Sequence, residues 1–126
     1  MNSKTSRQFL KTQIRLIHND DIALGPGKIE LLESIANTGS ISAAGRHLGM
    51  SYRRAWLLVE TMNNNFQSPL VISSKGGKHG GGAQLTELGQ QVLMIYQEMQ
   101  QLLKQQLSGY EQKLCALLKE DDFPNR

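Results

Sequence analysis

Residues 40–64 admit few arrangements, because two helix-forming runs within them are separated only by Gly49, Met50 and Ser51. Ser40 is placed to cap the first run with its hydroxyl. The apolar face of that run is Ile41, Ala44 and Leu48, with Ala43 beside it. Gly49 can take the left-handed conformation that ends a helix, and Ser51 can cap the run that follows. A connection this short forces the two helices to cross steeply, as in a helix-turn-helix.

The flanking segments extend this unit. Residues 13–18 read as a short strand, Asp20 and Asp21 as a turn, and Gly25, Pro26 and Gly27 as a breaker whose proline suits a helix entrance. From Lys28, the residues Ile29, Leu32, Ile35 and Ala36 keep helical spacing until Gly39 stops it. The helix after the tight turn, residues 52–64, offers Ala55, Leu58, Val59 and Met62 to a core, and Asn63, Asn64 and Asn65 are expected to fray its end. Residues 70–73 and 83–85 read as strands around a loop with five glycines, Lys75, Lys78 and His79, which is the layout of a wing. Thr86 then caps a long helix in which Leu85/Leu88, Val92/Ile95 and Met99/Leu102 make three heptads. Gln106 and Gly109 are expected to interrupt it before a second amphipathic stretch bearing Tyr110, Leu114, Leu117 and Leu118. The fold class is therefore mainly α with a small β-wing. Residues 1–85 form a winged helix-turn-helix, residues 86–119 a long helix and second stretch for dimerisation, and residues 120–126 a frayed tail.

Composition narrows the function. With 39% hydrophobic and 20% charged residues, the chain is composed as a soluble globular domain. No run approaches the roughly 18 apolar residues that span a bilayer, and residues 1–13 lack the apolar core of a secretory signal. A cytoplasmic location is expected. Cys115 is the single cysteine, which excludes an intrachain disulfide and a cysteine-based zinc site. His18 and His47 have no catalytic partner at suggestive spacing, and paired carboxylates or a nucleophile elbow are absent, so no enzyme is read and no cofactor is expected. Charge is uneven: residues 1–86 hold ten Lys and Arg against five Asp and Glu, whereas residues 87–126 hold four against six. A basic face for a polyanion, followed by a segment with another task, fits that split.

The polyanion that fits a helix-turn-helix is double-stranded DNA, whose major groove admits an α-helix. Arg53 and Arg54 stand in the first turn of the third helix beside Ser51 and Tyr52, where base edges are reached first. Trp56 is either a backbone or sugar contact or a core residue. Ser40 and Ser42 begin the second helix as caps or phosphate contacts, and Arg46 shares their element. The glycine-rich loop fails as a nucleotide cradle, because no Gly-Lys-Ser/Thr opens a helix there. It fails as a metal site too, with one histidine and no partner ligand. A wing whose Lys75, Lys78 and His79 approach phosphate and a plain solvated hairpin remain as its two readings. The stripe Leu88, Val92, Ile95, Met99 and Leu102 is expected to serve both the chain's own core, through its early residues, and a homodimer across a two-fold axis, from Met99 onward. A module that docks a partner protein through the same basic face and coiled coil is the competing functional class.

The blocks Ser40-Ile41-Ser42-Ala43-Ala44, Gly49-Met50-Ser51-Tyr52-Arg53-Arg54-Ala55-Trp56 and Gly76-Gly77-Lys78-His79-Gly80-Gly81-Gly82-Ala83-Gln84-Leu85-Thr86 resemble the N-terminal domain of the ModE family of molybdate-responsive regulators. The first two blocks are more distantly similar to the LysR-type winged helix. The resemblance covers about residues 14–107. It implies a transcriptional regulator that dimerises through the helix after the wing, with Ser51, Tyr52, Arg53 and Trp56 on the recognition helix and Lys75, Lys78 and His79 in the wing. Members of that family carry C-terminal domains that bind molybdate or tungstate. This sequence ends some twenty residues after the long helix, so molybdate is not expected to bind the chain directly: either a separate effector-sensing protein is the partner, or the regulator responds to something else, or it binds constitutively.

Overall fold

A computed structural model describes residues 8–74 and 82–120. The chain begins with a hairpin, β1 (Leu16–His18) and β2 (Asp21–Leu24), closed by Asn19 and Asp20 at φ 50° and 69°. Asn and Asp tolerate this left-handed region, and two consecutive such residues make the turn that matches strand twist. The sequence reading had the first strand and the turn but not β2. The reason is a register shift: Ile17 pairs with Ile22 while Leu16 pairs with Leu24, leaving Ala23 as the extra residue. Both Ala23 and Leu24 are thereby buried, which destroys the alternation by which a strand is recognised.

Helix α1 (Pro26–Thr38) starts at its proline and stops at Gly39, whose φ of 74° turns the chain and whose N–H bonds the Ile35 carbonyl. Its Ile29, Leu31, Leu32 and Ile35 centre the core. Helix α2 (Ile41–His47) and helix α3 (Tyr52–Asn65) follow, and then a second hairpin of β3 (Val71–Ser74) and β4 (Gly82–Leu85). Val71 pairs with Leu85 and Ser73 with Ala83. Val71, Leu85 and Ala83 face the core, while Ile72 remains exposed.

The three consecutive asparagines do not fray α3. Asn63 Oδ1 accepts from the N–H groups of Leu70 (2.8 Å) and Val71 (3.2 Å), and its amide donates to the Val71 carbonyl. Asn65 donates to the Thr61 carbonyl, and a 2.8 Å hydrogen bond joins His18 Nδ1 to Asn65 Oδ1. Side-chain amides here replace the backbone partners that the end of a helix leaves open, and they fasten both hairpins to it.

Helix α4 (Glu87–Cys115) is unbroken, where an interruption at Gln106 and Gly109 was expected. Gly109 lies in open space with ordinary helical geometry, so its cost is only the propensity penalty of one exposed glycine. At the other end the Thr86 hydroxyl accepts from the Gly89 N–H and donates to the Pro69 carbonyl (2.8 Å). A Cβ on Gly89 would collide with the Leu70 carbonyl, so α4 enters as close to β3 as glycine permits. Val92 and Tyr96 finish the core, and the Tyr96 hydroxyl donates to the Ile14 carbonyl at 2.6 Å. At about 1.5 Å per residue the helix is roughly 43 Å long and outruns that core. Past Tyr96, its half-buried Leu103, Leu107 and Glu111 lie on the side taken by the N-terminal segment, where the Leu10 N–H donates to Glu111.

These two glycines should respond with opposite sign. Gly89→Ala is expected to cost about 1–3 kcal/mol through overpacking against the Leu70 carbonyl. Gly109→Ala is expected to add about 0.5–1 kcal/mol by helix propensity. Urea unfolding of both variants measures the pair, and a loss of stability in Gly109→Ala would contradict a continuous α4.

Candidate nucleic-acid interface

The tight turn is closed by the backbone itself. The Met50 N–H bonds the Gly45 carbonyl at 2.9 Å, the Gly49 N–H bonds the Arg46 carbonyl, and Gly49 has φ 72°. A Cβ added to Gly45 would lie 3.2 Å from the Cβ of Ala55, so α2 and α3 approach at a point where only small residues fit. This contact sets where the first turn of α3 projects. Ser51 caps it by accepting from the Arg54 N–H at 3.1 Å. Caps of this kind contribute about 1 kcal/mol to keeping a terminal turn formed.

Ser51, Tyr52, Arg53 and Arg54 are all exposed. Trp56 is 43% exposed and does not belong to the core. On α2, Ser40 is the N-cap, accepting from the Ala43 N–H at 3.0 Å, and Ser42 accepts from Arg46 Nη1 at 3.0 Å. Lys75, Lys78 and His79 lie outside the described residues, while the strands on either side of them pair as a wing requires. The wing is tied to the turn before α2 by the Ala83 N–H, which bonds the Gly39 carbonyl at 2.9 Å.

Two residues enter the site that the sequence reading passed over. Lys28, in the first turn of α1, has its pKa lowered by burial and then by the positive charge of Arg54, with Asp21 acting weakly in the opposite sense. Only packing of α1 on α3 brings Lys28 and Arg54 together, so nothing in the sequence signalled it. Glu60 is the other residue. It lines a groove of about 300 Å³ between α3 and the wing strands, together with Tyr52, Trp56, Ile72 and Ser73. Its signal was legible, because it is the single carboxylate on α3.

Of the heptad residues, Val92 is 8% exposed and Leu88 packs against the same core. Ile95, Met99 and Leu102 stay exposed, as do Met94, Tyr110 and Leu114 further round and along the helix. The stripe thus divides along its length within the single chain. Among the described residues no cluster of three metal-ligating side chains occurs, and no helix is long and apolar enough to cross a membrane.

The profile of the bacterial regulatory helix-turn-helix proteins of the lysR family matches residues 27–90, which takes in α1, the tight turn, α3 and the wing strands. The chain belongs to this family. The resemblance to the ModE family is borne out as well. The chain is 42% identical over 91 residues to the molybdenum-pterin-binding protein MopB of Rhodobacter capsulatus, covering 72% of this chain and 34% of that protein. It is 36% identical over 115 residues to the transcriptional regulator ModE of Yersinia pestis, covering 91% and 38% respectively. The DNA-binding transcriptional dual regulator ModE of Escherichia coli K12 is 38% identical over 97 residues. The chain spans about a third of the length of these curated relatives. In fold it is similar to a crystallised CbnR DBD–DNA complex, with TM-score 0.55, 20% identity, and coverage of 71% of this chain and 95% of that one. It is also similar to VV2_1132, a LysR family transcriptional regulator, with TM-score 0.54 and 16% identity over 74% of this chain. This winged-helix likeness confirms the fold class.

Proposed function

We propose that this lysR-family chain is a transcriptional regulator that reads double-stranded DNA as a homodimer on a pseudo-palindromic operator. The observation that carries the reading is the exposed, capped first turn of α3, where Arg53 and Arg54 stand without a carboxylate partner among the described residues. Arginine in this place can bond guanine bidentately. Ser40, Ser42 and Arg46 on α2 and the glycine-rich wing with Lys75, Lys78 and His79 take the phosphates on either side, while Tyr52 and Trp56 contribute flat, half-apolar surface. Phosphate contacts fix register, and base contacts choose sequence.

The dimer is supported by Ile95, Met99 and Leu102, an apolar stripe left exposed on a helix that continues beyond its own core. Two copies joined there would present two α3 helices to half-sites about one or two helical turns apart. Names of the relatives tie several of them to molybdenum, so molybdenum-responsive control is the regulatory context we infer.

Selection from a randomised duplex pool tests the reading. Arg53→Ala should lose about 1–3 kcal/mol of discrimination at one base pair. Lys78→Ala should weaken all duplexes alike and reduce the salt dependence by about one ion. Loss of function in cells on Met99 and Leu102 changes, with indifference to Arg53 and Lys78, would instead favour a protein-docking module. For the dimer, Met99→Glu and Leu102→Glu are expected to shift sedimentation to the monomer while the far-ultraviolet circular dichroism stays helical. A wild-type chain that already sediments as a monomer contradicts the assembly.

A further inference from the structure

The groove between α3 and the wing strands differs chemically from the arginine-bearing turn beside it. Its described walls include Tyr52, Trp56, Val59, Ile72 and Ala83, and Glu60 is the one charged residue among them. Asn63 also borders it, but both ends of its amide are already committed to β3. No described wall is cationic, and a carboxylate repels phosphate, so the groove is not built to hold the DNA backbone. Glu60 follows Arg53 by seven residues, which returns it to the same stripe of the helix within about 20°. The separation is about 10 Å along the axis, or roughly three base-pair steps. That distance also exceeds the one-turn spacing at which a helical Arg–Glu pair neutralises itself. Glu60 makes no hydrogen bond or ion pair among the described residues, and it is exposed.

We propose that Glu60 is a base-selecting residue: its carboxylate accepts a hydrogen bond from the exocyclic amino group of a cytosine in the major groove. The inference rests on DNA reading by α3. Most acceptor-bearing edges, such as those of guanine and thymine, are repelled by a carboxylate, whereas cytosine presents its N4 amino group there. Trp56 and Ile72 line the same groove as Glu60, and apolar walls that displace water beside such a contact strengthen the hydrogen bond and raise the penalty for a wrong edge. Glu60 therefore acts by rejection as much as by attraction, as specific interfaces commonly do.

Selection from a randomised duplex pool with the wild-type chain, Glu60→Gln and Glu60→Ala tests the assignment. The wild type should select cytosine at one position within a few steps of the guanine read by Arg53. Glu60→Gln should change that preference toward adenine, since glutamine pairs with the adenine edge. Glu60→Ala should erase it, lowering discrimination at that position by on the order of 5- to 100-fold while other positions keep theirs. An unchanged consensus in both variants overturns the role of Glu60 and leaves DNA reading intact. Absence of any preference in the wild type overturns the proposed function together with it.

Discussion

The contact on which the structure depends is the approach of α2 to α3 at Gly45 and Ala55. A larger residue at either place would push the helices apart, because the Gly45 position lies at ordinary or tighter contact with both Ala55 and the Met50 carbonyl. Gly49 and the backbone bonds around it close the connection with no side chain involved. Once the crossing is set, α1 buries both helices on one side, and the cap at Ser51 leaves the first turn of α3 facing solvent. The exposed arginines are a consequence of that crossing rather than an independent feature.

A second set of contacts fixes the wing and α4 relative to this unit. Asn63 holds β3 to α3 through three hydrogen bonds. The Ala83 N–H holds β4 to the turn at Gly39. Thr86 and Gly89 gather α4 onto the carbonyls of Pro69 and Leu70. Wing strands, recognition helix and long helix thereby share one rigid frame, and a partner gripping α4 would set the spacing of two α3 helices. Energetically these are ordinary hydrogen bonds of about 1 kcal/mol each, but those of Ala83 and of Thr86 to Pro69 join elements distant in sequence.

Much of this arrangement was legible in the residues, for stated physical reasons. Ser40, Ser51 and Thr86 each cap a helix because a hydroxyl before an apolar-periodic run has few other uses. Gly39 and Gly49 take the positive φ that only glycine accepts at low cost. What escaped was what depends on packing. The bulge at Ala23 hid β2, and Asn63 looked like a frayed end because its partners come from seven and eight residues further on. Gly109 looked like a stop because its propensity penalty was weighed without the length of helix on either side. In the candidate site, Arg53, Arg54 and Trp56 were named from their position on α3 and are exposed there, whereas Lys28 required the fold and Glu60 required attention to a charge of the unexpected sign.

The electrostatic layout follows the same frame. Cations stand at the start of α3 and near the start of α1, a lone carboxylate stands further along α3, and the outer part of α4 carries an exposed apolar stripe. On the proposed function, sequence reading falls on one face and self-association on another. The most direct measurement is a titration of isotope-labelled protein with a selected duplex, followed by amide chemical shifts. Shifts confined to residues 40–46, 51–60 and the segment between β3 and β4 are the predicted result. Shifts concentrated on the β1–β2 hairpin and the outer half of α4, with α3 unmoved, would contradict the account.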